Sequence, residues 1–199
     1  MILLLAVFFG LLAGWLRVRL NQSIWQPPEF QHAWIVVIFF VPQLLAFYLP
    51  ATRSRMTTPV VAACLITSQI GLLLFCLLNK HLPGIPILAA GLFLNLMAIS
   101  ANGGLMPLST ATAAHLIPEQ VLSNLNIGSR FSLSSKDVLL RPEAVNFPWL
   151  SDQFVPPDWF PYQFAFSLGD VMIGIGAFLL LAYSKTFKNG TVLTRKVDL

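Results

Sequence analysis

The stretch NGGLMPLS, residues 102–109, ends a long apolar run and decides how the chain leaves it. One glycine or one proline is enough to stop a helix, whereas here an asparagine, two glycines, a proline and a serine follow in close order. Gly103 and Gly104 suit left-handed backbone angles, because glycine has no Cβ to clash there. The stretch therefore predicts a structured turn, after which Ser109 caps a short helix through TATAAHL, residues 110–116.

The composition around this turn is that of a membrane protein. Of the 199 residues, 56% are hydrophobic and only 10% are charged, and the mean hydropathy is +0.75. Soluble domains carry roughly a quarter charged residues. We therefore expect an integral membrane protein surrounded by the lipid bilayer. The net charge of +4 is small and fits loops that contact lipid headgroups, so nucleic acid is not an expected partner.

Five apolar runs predict an all-α bundle of about five transmembrane helices, at residues 1–16, 33–49, 59–78, 86–101 and 164–183. The first run has neither the charged leader nor the cleavage site of a signal peptide, so we expect a retained helix, with a cleaved or interfacial segment as the open alternative because the run is short. Pro42 lies inside the second run and predicts a kink there. Residues 102–163 form one long extracytoplasmic connection, and residues 184–199 form a basic cytoplasmic tail.

Lysine and arginine counts predict how the bundle is oriented. The two predicted sides of the membrane differ in these residues. One side carries Arg17, Arg19, Lys80, Lys185, Lys188, Arg195 and Lys196, and the short loop on the other carries Arg53 and Arg55. We therefore expect a plasma-membrane protein with its N-terminus and residues 102–163 outside and its C-terminus in the cytoplasm.

The long connection is predicted to be partly ordered. Pro118 favours the start of a second short helix through PEQVLSNL, residues 118–125. The closing stretch, NFPWLSDQFVPPDWFPYQFAF at residues 146–166, is rich in proline and in aromatic side chains. Trp149, Trp159, Phe160 and Tyr162 are typical of the belt that a protein places at a membrane interface.

Polar residues converge where the fourth and fifth runs meet. Asn95 and Asn102 lie seven residues apart on one helical face, and Ser167 and Asp170 lie near the start of the fifth run. An acid in an apolar helix is costly unless it is paired. We expect the backbone amides of Gly103 and Gly104, the Asn102 amide and the Ser109 hydroxyl, to surround it. Two alternatives stay open, since Asp170 could instead cap a fifth helix that begins later, and the cluster could be a structural clamp.

Three motifs resemble a bacterial membrane family known as DUF5317. They are NGGLMPLS at 102–109, LSDQFVPP at 150–157 and SLGDVMIGIG at 167–176. The resemblance implies that the family pattern is carried by Asn102, Gly103, Gly104, Met106, Pro107, Ser109, Asp152, Ser167, Gly169 and Asp170. It implies a second outer carboxylate, Asp152, near Asp170. The resemblance implies no activity, and the middle motif has serine where many relatives have glycine.

Three classes of function remain at this stage. The first is a non-catalytic subunit, scaffold or assembly factor that binds other proteins or a second copy of the chain. The second is an ion- or proton-linked site for binding or transport, centred on Asp170. The third is a membrane enzyme that uses Asp152 and Asp170 as an acid pair or as metal ligands. No P-loop, GxSxG, HExxH or Cys/His cluster is present, so the sequence identifies no catalytic residue, metal ligand or cofactor and favours a non-enzyme.

Overall fold

A computed structural model describes residues 1–183 and the strand at residues 186–188. Five apolar helices form the bundle. Their bounds are Ile2–Leu20 (α1), Trp34–Gln43 (α2), Thr58–Leu78 (α3), Ile85–Ala101 (α4) and Leu168–Ala182 (α5). Most of the predicted basic tail, residues 184–199, lies outside the described residues.

Membrane-spanning length is reached by two of these helices. Within the described residues, Ile2–Leu20 and Thr58–Leu78 are long and apolar enough to cross a bilayer, and the other three apolar helices are shorter. The first is also longer than predicted, because Arg17 and Arg19 lie inside its last turn instead of after it. Length and composition therefore suggest a membrane location.

The second apolar run changes its hydrogen-bonding pattern after Pro42. The α-helix ends at Gln43 and a π-helix follows over Leu44–Tyr48. Proline lacks the N–H that an α-helix would use at its position. A π-helical turn widens the helix locally and takes up the resulting mismatch.

The prediction of an all-α protein is wrong in the connections. Within the described residues there are two short two-stranded sheets, and one is parallel, with Met106–Ser109 (β2) beside Asp137–Leu140 (β3). The other pairs Ser23–Trp25 (β1) with Thr186–Lys188 (β4), antiparallel. The remaining short elements are helices at Pro50–Arg53, Thr110–Ala113 and Glu119–Leu122, and 3-10 turns at Pro142–Ala144 and Pro148–Leu150.

The NGG turn is what makes the parallel sheet possible. Gly103 and Gly104 have φ values of +77° and +87°, so the predicted left-handed angles are confirmed. The Gly104 N–H donates to the Ile99 carbonyl at 2.8 Å and closes the end of α4. The chain then enters β2, whose first residue donates its N–H to the Lys136 carbonyl at 2.9 Å.

Glycines bring α4 and α5 into close contact. A Cβ on Gly169 would lie 2.1 Å from Asn95 Oδ1, and one on Gly176 would lie 2.6 Å from Leu88 Cβ. The two helices are therefore packed directly against each other, and they run antiparallel. Gly174 does not belong to it, because a Cβ there would meet Ile2 of α1 instead.

Candidate functional site

Lys136 is the centre of the polar cluster at the end of the bundle where α4 ends and α5 begins. Its ammonium lies 3.2 Å from Asp152 Oδ2 and 3.4 Å from Asp170 Oδ2. Lys136 and Asp152 belong to the long connection, whereas Asp170 belongs to α5. A single cation thus joins the connection to the helices, and we call Lys136, Asp137, Asp152 and Asp170 the Lys136 cluster.

Asp170 sits in the first turn of α5 and completes a capping box. Its backbone N–H donates to the Ser167 hydroxyl at 3.1 Å, and its Oδ2 accepts from the Ser167 N–H at 3.4 Å. The helix begins at Leu168, not at residue 164. Asp170 therefore lies at a helix end, as the capping alternative requires, and its negative charge is favoured there by the helix dipole.

Asn95 reaches the same carboxylate from α4. Its side-chain N–H donates to Asp170 Oδ1 at 2.9 Å, and its Oδ1 accepts from the Ser167 hydroxyl at 2.9 Å. Asn95 is 3% exposed, so these two bonds meet the need of a buried amide for partners. Only glycine fits at position 169 against this amide.

Asp152 is the most buried of the acids. Its side chain is 1% exposed, compared with 26% for Asp170 and 30% for Lys136. Its backbone N–H donates to the Pro107 carbonyl at 3.2 Å, so the strand that follows the NGG turn places it. Asp152 Oδ2 pairs with Lys136, but Asp152 Oδ1 and Asp137 Oδ1 are buried and lack hydrogen-bond partners within the described residues.

Burial and charge act in opposite directions on Asp152 and Lys136. Desolvation raises the pKa of the Asp152 carboxyl to about 8, and the neighbouring Asp137 and Asp170 add to the rise while Lys136 opposes it. For Lys136, burial lowers the pKa, but the attraction of Asp152, Asp170 and Asp137 outweighs burial and the pKa is raised. The ammonium is therefore charged at neutral pH, and the cluster favours one protonated carboxyl.

All four partners that the sequence predicted for Asp170 are wrong. The Asn102 amide donates to the Ala98 and Asn146 carbonyls, at 2.8 and 2.9 Å. The Ser109 hydroxyl accepts from the Thr112 N–H at 3.0 Å and caps the short helix there, as predicted. The amide of Gly104 is used within its own turn, and that of Gly103 has no contact with Asp170.

Asn102 instead forms a second connection, which we call the asparagine clamp. Its Oδ1 accepts from the Asn146 N–H at 2.9 Å, and the Asn146 side chain donates to the Ala101 carbonyl at 2.9 Å. Asn102 ends α4, while Asn146 lies in the long connection. The clamp therefore binds the same two parts of the molecule as the Lys136 cluster does, without any charge.

Four predicted site residues meet in the Lys136 cluster or beside it, namely Asn95, Asp152, Ser167 and Asp170. Their role in binding stays a prediction. Sequence reasoning missed Lys136 and Asp137, which lie in the Ser-rich stretch GSRFSLSSKD, residues 128–137. The available signal was the apolar strand-forming run VLL directly after this Lys-Asp pair, which predicts order where the serines suggest coil.

Possible metal ligands and cavities are the remaining features of the described residues to place relative to this site. Within residues 1–183, no group of three His, Cys, Asp or Glu side chains is placed to hold a metal ion. A cavity of about 390 Å³ lies at the opposite end of the bundle, between residues 26–31 and 81–83. What the geometry shows at the Lys136 cluster is a compact charged junction, in which one ammonium holds the connection against α5.

Comparison with known proteins gives a family but no activity. An uncharacterized protein from Thermotoga maritima is 29% identical over 126 residues, which are 61% of this chain and 64% of that protein. The chain thus matches less than two thirds of that relative's length. No solved structure matches it. The model of a family of unknown function, DUF5317, matches residues 28–182, and the chain belongs to this family.

Proposed function

We propose that this chain is a non-catalytic, multi-pass membrane protein that acts as a subunit or scaffold and presents residues 102–163 to a partner protein. In this proposal all five apolar helices cross or enter the membrane. The N-terminus and residues 102–163 lie outside and the C-terminus lies in the cytoplasm. The helix directions support a shared side for the N-terminus and the connection. A Cβ on Gly174 of α5 would meet Ile2, and one on Gly14 of α1 would meet Leu181, so α1 and α5 run parallel.

The observation that carries the proposal is the bridge made by Lys136. A loop that only linked two helices would need no buried ion pairs, because each one costs desolvation. Here the connection supplies Lys136 and Asp152 to the cluster and Asn146 to the asparagine clamp. These two attachments make residues 102–163 a preformed platform, and preformed surfaces lose less conformational entropy when a partner binds.

The platform carries large exposed aromatic side chains. Trp159 is 80% exposed, Tyr162 65% and Trp149 54%. Tryptophan and tyrosine are enriched where proteins bind each other, because they offer large contact areas with a polar tip. They are also enriched at lipid headgroups, so the experiment has to separate a protein partner from the bilayer.

The test is a native pull-down. The full chain, tagged at its C-terminus, is extracted in mild detergent, and co-purifying proteins are identified by mass spectrometry. We expect one partner at a fixed stoichiometry. The double variant Trp159→Ser/Tyr162→Ser should lose that partner, whereas Trp34→Ser should keep it, because Trp34 is 58% exposed and lies at the opposite end of the bundle.

Two results would contradict the subunit proposal. One is a chain that purifies alone from native membranes. The other is a partner that both aromatic variants retain equally, which would assign Trp159 and Tyr162 to the lipid interface.

The orientation has its own test. Single cysteines at Ser134 and at Lys80, in a chain without Cys64 and Cys76, are labelled in intact cells with a maleimide that cannot cross membranes. The proposal expects labelling at position 134 and none at position 80 until the cells are opened. Labelling of position 80 alone in intact cells would reverse the orientation.

A further inference from the structure

Two acids of the Lys136 cluster each have one buried oxygen without a hydrogen-bond donor within the described residues. Asp152 is 1% exposed, and its Oδ1 has no hydrogen-bond partner within the described residues; the same is true of Asp137 Oδ1. The Asp137 side chain is close enough for its charge and its hydrogen-bonding capacity to raise the pKa of the Asp152 carboxyl. Two ionised carboxylates only accept hydrogen bonds, so this contact would be repulsive unless a proton lies between them.

The charges around these two carboxyl groups also favour one bound proton. The groups that face Asp152 are the Lys136 ammonium, the Asp137 carboxylate from β3 and the Asp170 carboxylate from α5. Asn95, Ser135 and Ser167 add only neutral groups; the Ser135 hydroxyl donates to Asp137 Oδ2. Three carboxylates around one ammonium leave two negative charges uncompensated, and one bound proton halves that excess.

We propose that Asp152 and Asp137 hold one exchangeable proton between them, so that the Lys136 cluster is a proton-binding site which fixes residues 102–163 to the helices. Asp152 carries the proton and donates it in a hydrogen bond to Asp137 Oδ1. Loss of the proton leaves two facing carboxylates, which repel each other and compete for Lys136. The site therefore responds to pH at the outer end of the bundle, independently of whether residues 102–163 bind a partner.

Infrared spectroscopy tests this directly, because a protonated carboxylic acid has a C=O stretching band that a carboxylate lacks. The full chain in lipid nanodiscs is measured at about pH 6 and about pH 9, on either side of the raised pKa. We expect a carboxylic acid band at the lower pH that disappears at the higher pH. Asp152→Asn should abolish the band, while its amide N–H replaces the proton as the donor to Asp137.

Two further variants separate the site from other acids. Asp137→Asn should shift loss of the band to lower pH, because it removes the repelling charge and donates to ionised Asp152. Asp158→Asn, at an exposed acid of the same segment, should leave the band unchanged. No carboxylic acid band in the wild-type chain, or a full band in Asp152→Asn, would overturn the proposal. The wild-type measurement decides the matter even if both site variants fail to fold.

Discussion

The Lys136 cluster and the asparagine clamp do the same mechanical task with different chemistry. Each binds residues 102–163 to the same end of the bundle, one at the start of α5 and the other at the end of α4. The clamp is neutral and partly exposed, and both asparagine side chains have found partners. The cluster is charged and contains the nearly fully buried Asp152. Two carboxylate oxygens of the cluster have no hydrogen-bond partner within the described residues.

The difference between the two junctions distinguishes simple attachment of residues 102–163 from a response to pH. Neutral amide bonds stabilise a junction by about 1 kcal/mol each and do not change with pH near neutrality. A buried ion cluster is costly to desolvate, and replacing it with apolar side chains would stabilise many proteins as well or better. A fold that needed only attachment could have used two asparagine clamps. The charged junction therefore suggests that this end of the molecule responds to protons.

The largest effect is expected where the cluster loses its only cation. Lys136→Met leaves Asp152 and Asp170 without their shared partner, and breaking a buried pair in this way costs about 3–5 kcal/mol. The free energy of unfolding in detergent micelles measures the loss. Lys80→Met is the matched control, since Lys80 is exposed at the opposite end of the bundle. Equal stability of the two variants would mean that the bridge contributes nothing.

Gly169→Ala tests the helix contact beneath the cluster. The new Cβ would lie 2.1 Å from Asn95 Oδ1, so the amide must leave Asp170 or the helices must separate. We expect a loss of about 1–3 kcal/mol, as for other overpacked cores, measured by thermal unfolding. Gly174→Ala is the control, because the nearest atom to its Cβ is Cγ2 of Ile2, at the longer distance of 2.9 Å. A smaller loss of stability in Gly169→Ala than in the control would mean that the contact with Asn95 does not stabilise the site.

Asn102→Ala breaks the neutral clamp. We expect the free energy of unfolding to fall by about 1–2 kcal/mol, because Asn146 loses its two hydrogen bonds to the Asn102 side chain but remains open to water. The pH dependence of unfolding between about pH 6 and about pH 9 should stay that of the wild type, since no clamp group titrates there. In Asp152→Asn the pH dependence should change instead. If Asn102→Ala altered it to the same extent, the two junctions would not differ as described.

The sign of that pH dependence follows from the raised pKa of Asp152. Between its ordinary pKa near 4 and about 8, the folded chain holds a proton that the unfolded chain does not. The contribution of this bound proton to the free energy of unfolding is complete at low pH and is lost as the pH rises through about 8. Wild-type melting temperature should thus fall over this range relative to Asp152→Asn, and a relative rise would contradict the assignment.

The smallest effect is expected in the NGG turn itself. Gly103→Ala places a Cβ at φ +77° with no heavy atom within 4 Å, so only backbone strain of about 1 kcal/mol opposes it. Gly104→Ala adds a contact at 2.5 Å with Ala62 Cβ and should cost more. Comparing the two melting temperatures separates the cost of backbone strain from the cost of the steric contact. Equal decreases in melting temperature would mean that the contact with Ala62 costs no stability.

Local patterns in the sequence predicted much of this structure. Apolar runs located five helices within a few residues, the glycine pair predicted the left-handed turn, and Ser109 predicted its cap. The start of the last helix was wrong, because Phe164 to Phe166 are as apolar as the helix that follows. They continue the extended path, and Phe166 exchanges backbone hydrogen bonds with Phe154.

Long-range pairing could not be predicted in the same way. Lys136 reaches Asp170 only because β3 lies beside β2, and parallel strands far apart in sequence leave no periodic signal that pairs them. The predicted neighbourhood of Asp170 failed for the same reason. The prediction chose the polar residues nearest to the place where the fourth and fifth runs meet. The actual partner Lys136 is brought to Asp170 by the sheet that pairs residues 106–109 with 137–140.

The central claim is that the Lys136 cluster fixes residues 102–163 to the helices. Hydrogen–deuterium exchange, read by mass spectrometry on the full chain in nanodiscs, tests it most directly. We expect faster exchange at β2, β3 and the Asp152 N–H in Lys136→Met, with exchange in α3 unchanged and with Lys80→Met identical to the wild type. Unchanged protection of these amides in Lys136→Met would show that other contacts hold the segment and that the Lys136 cluster does not fix it.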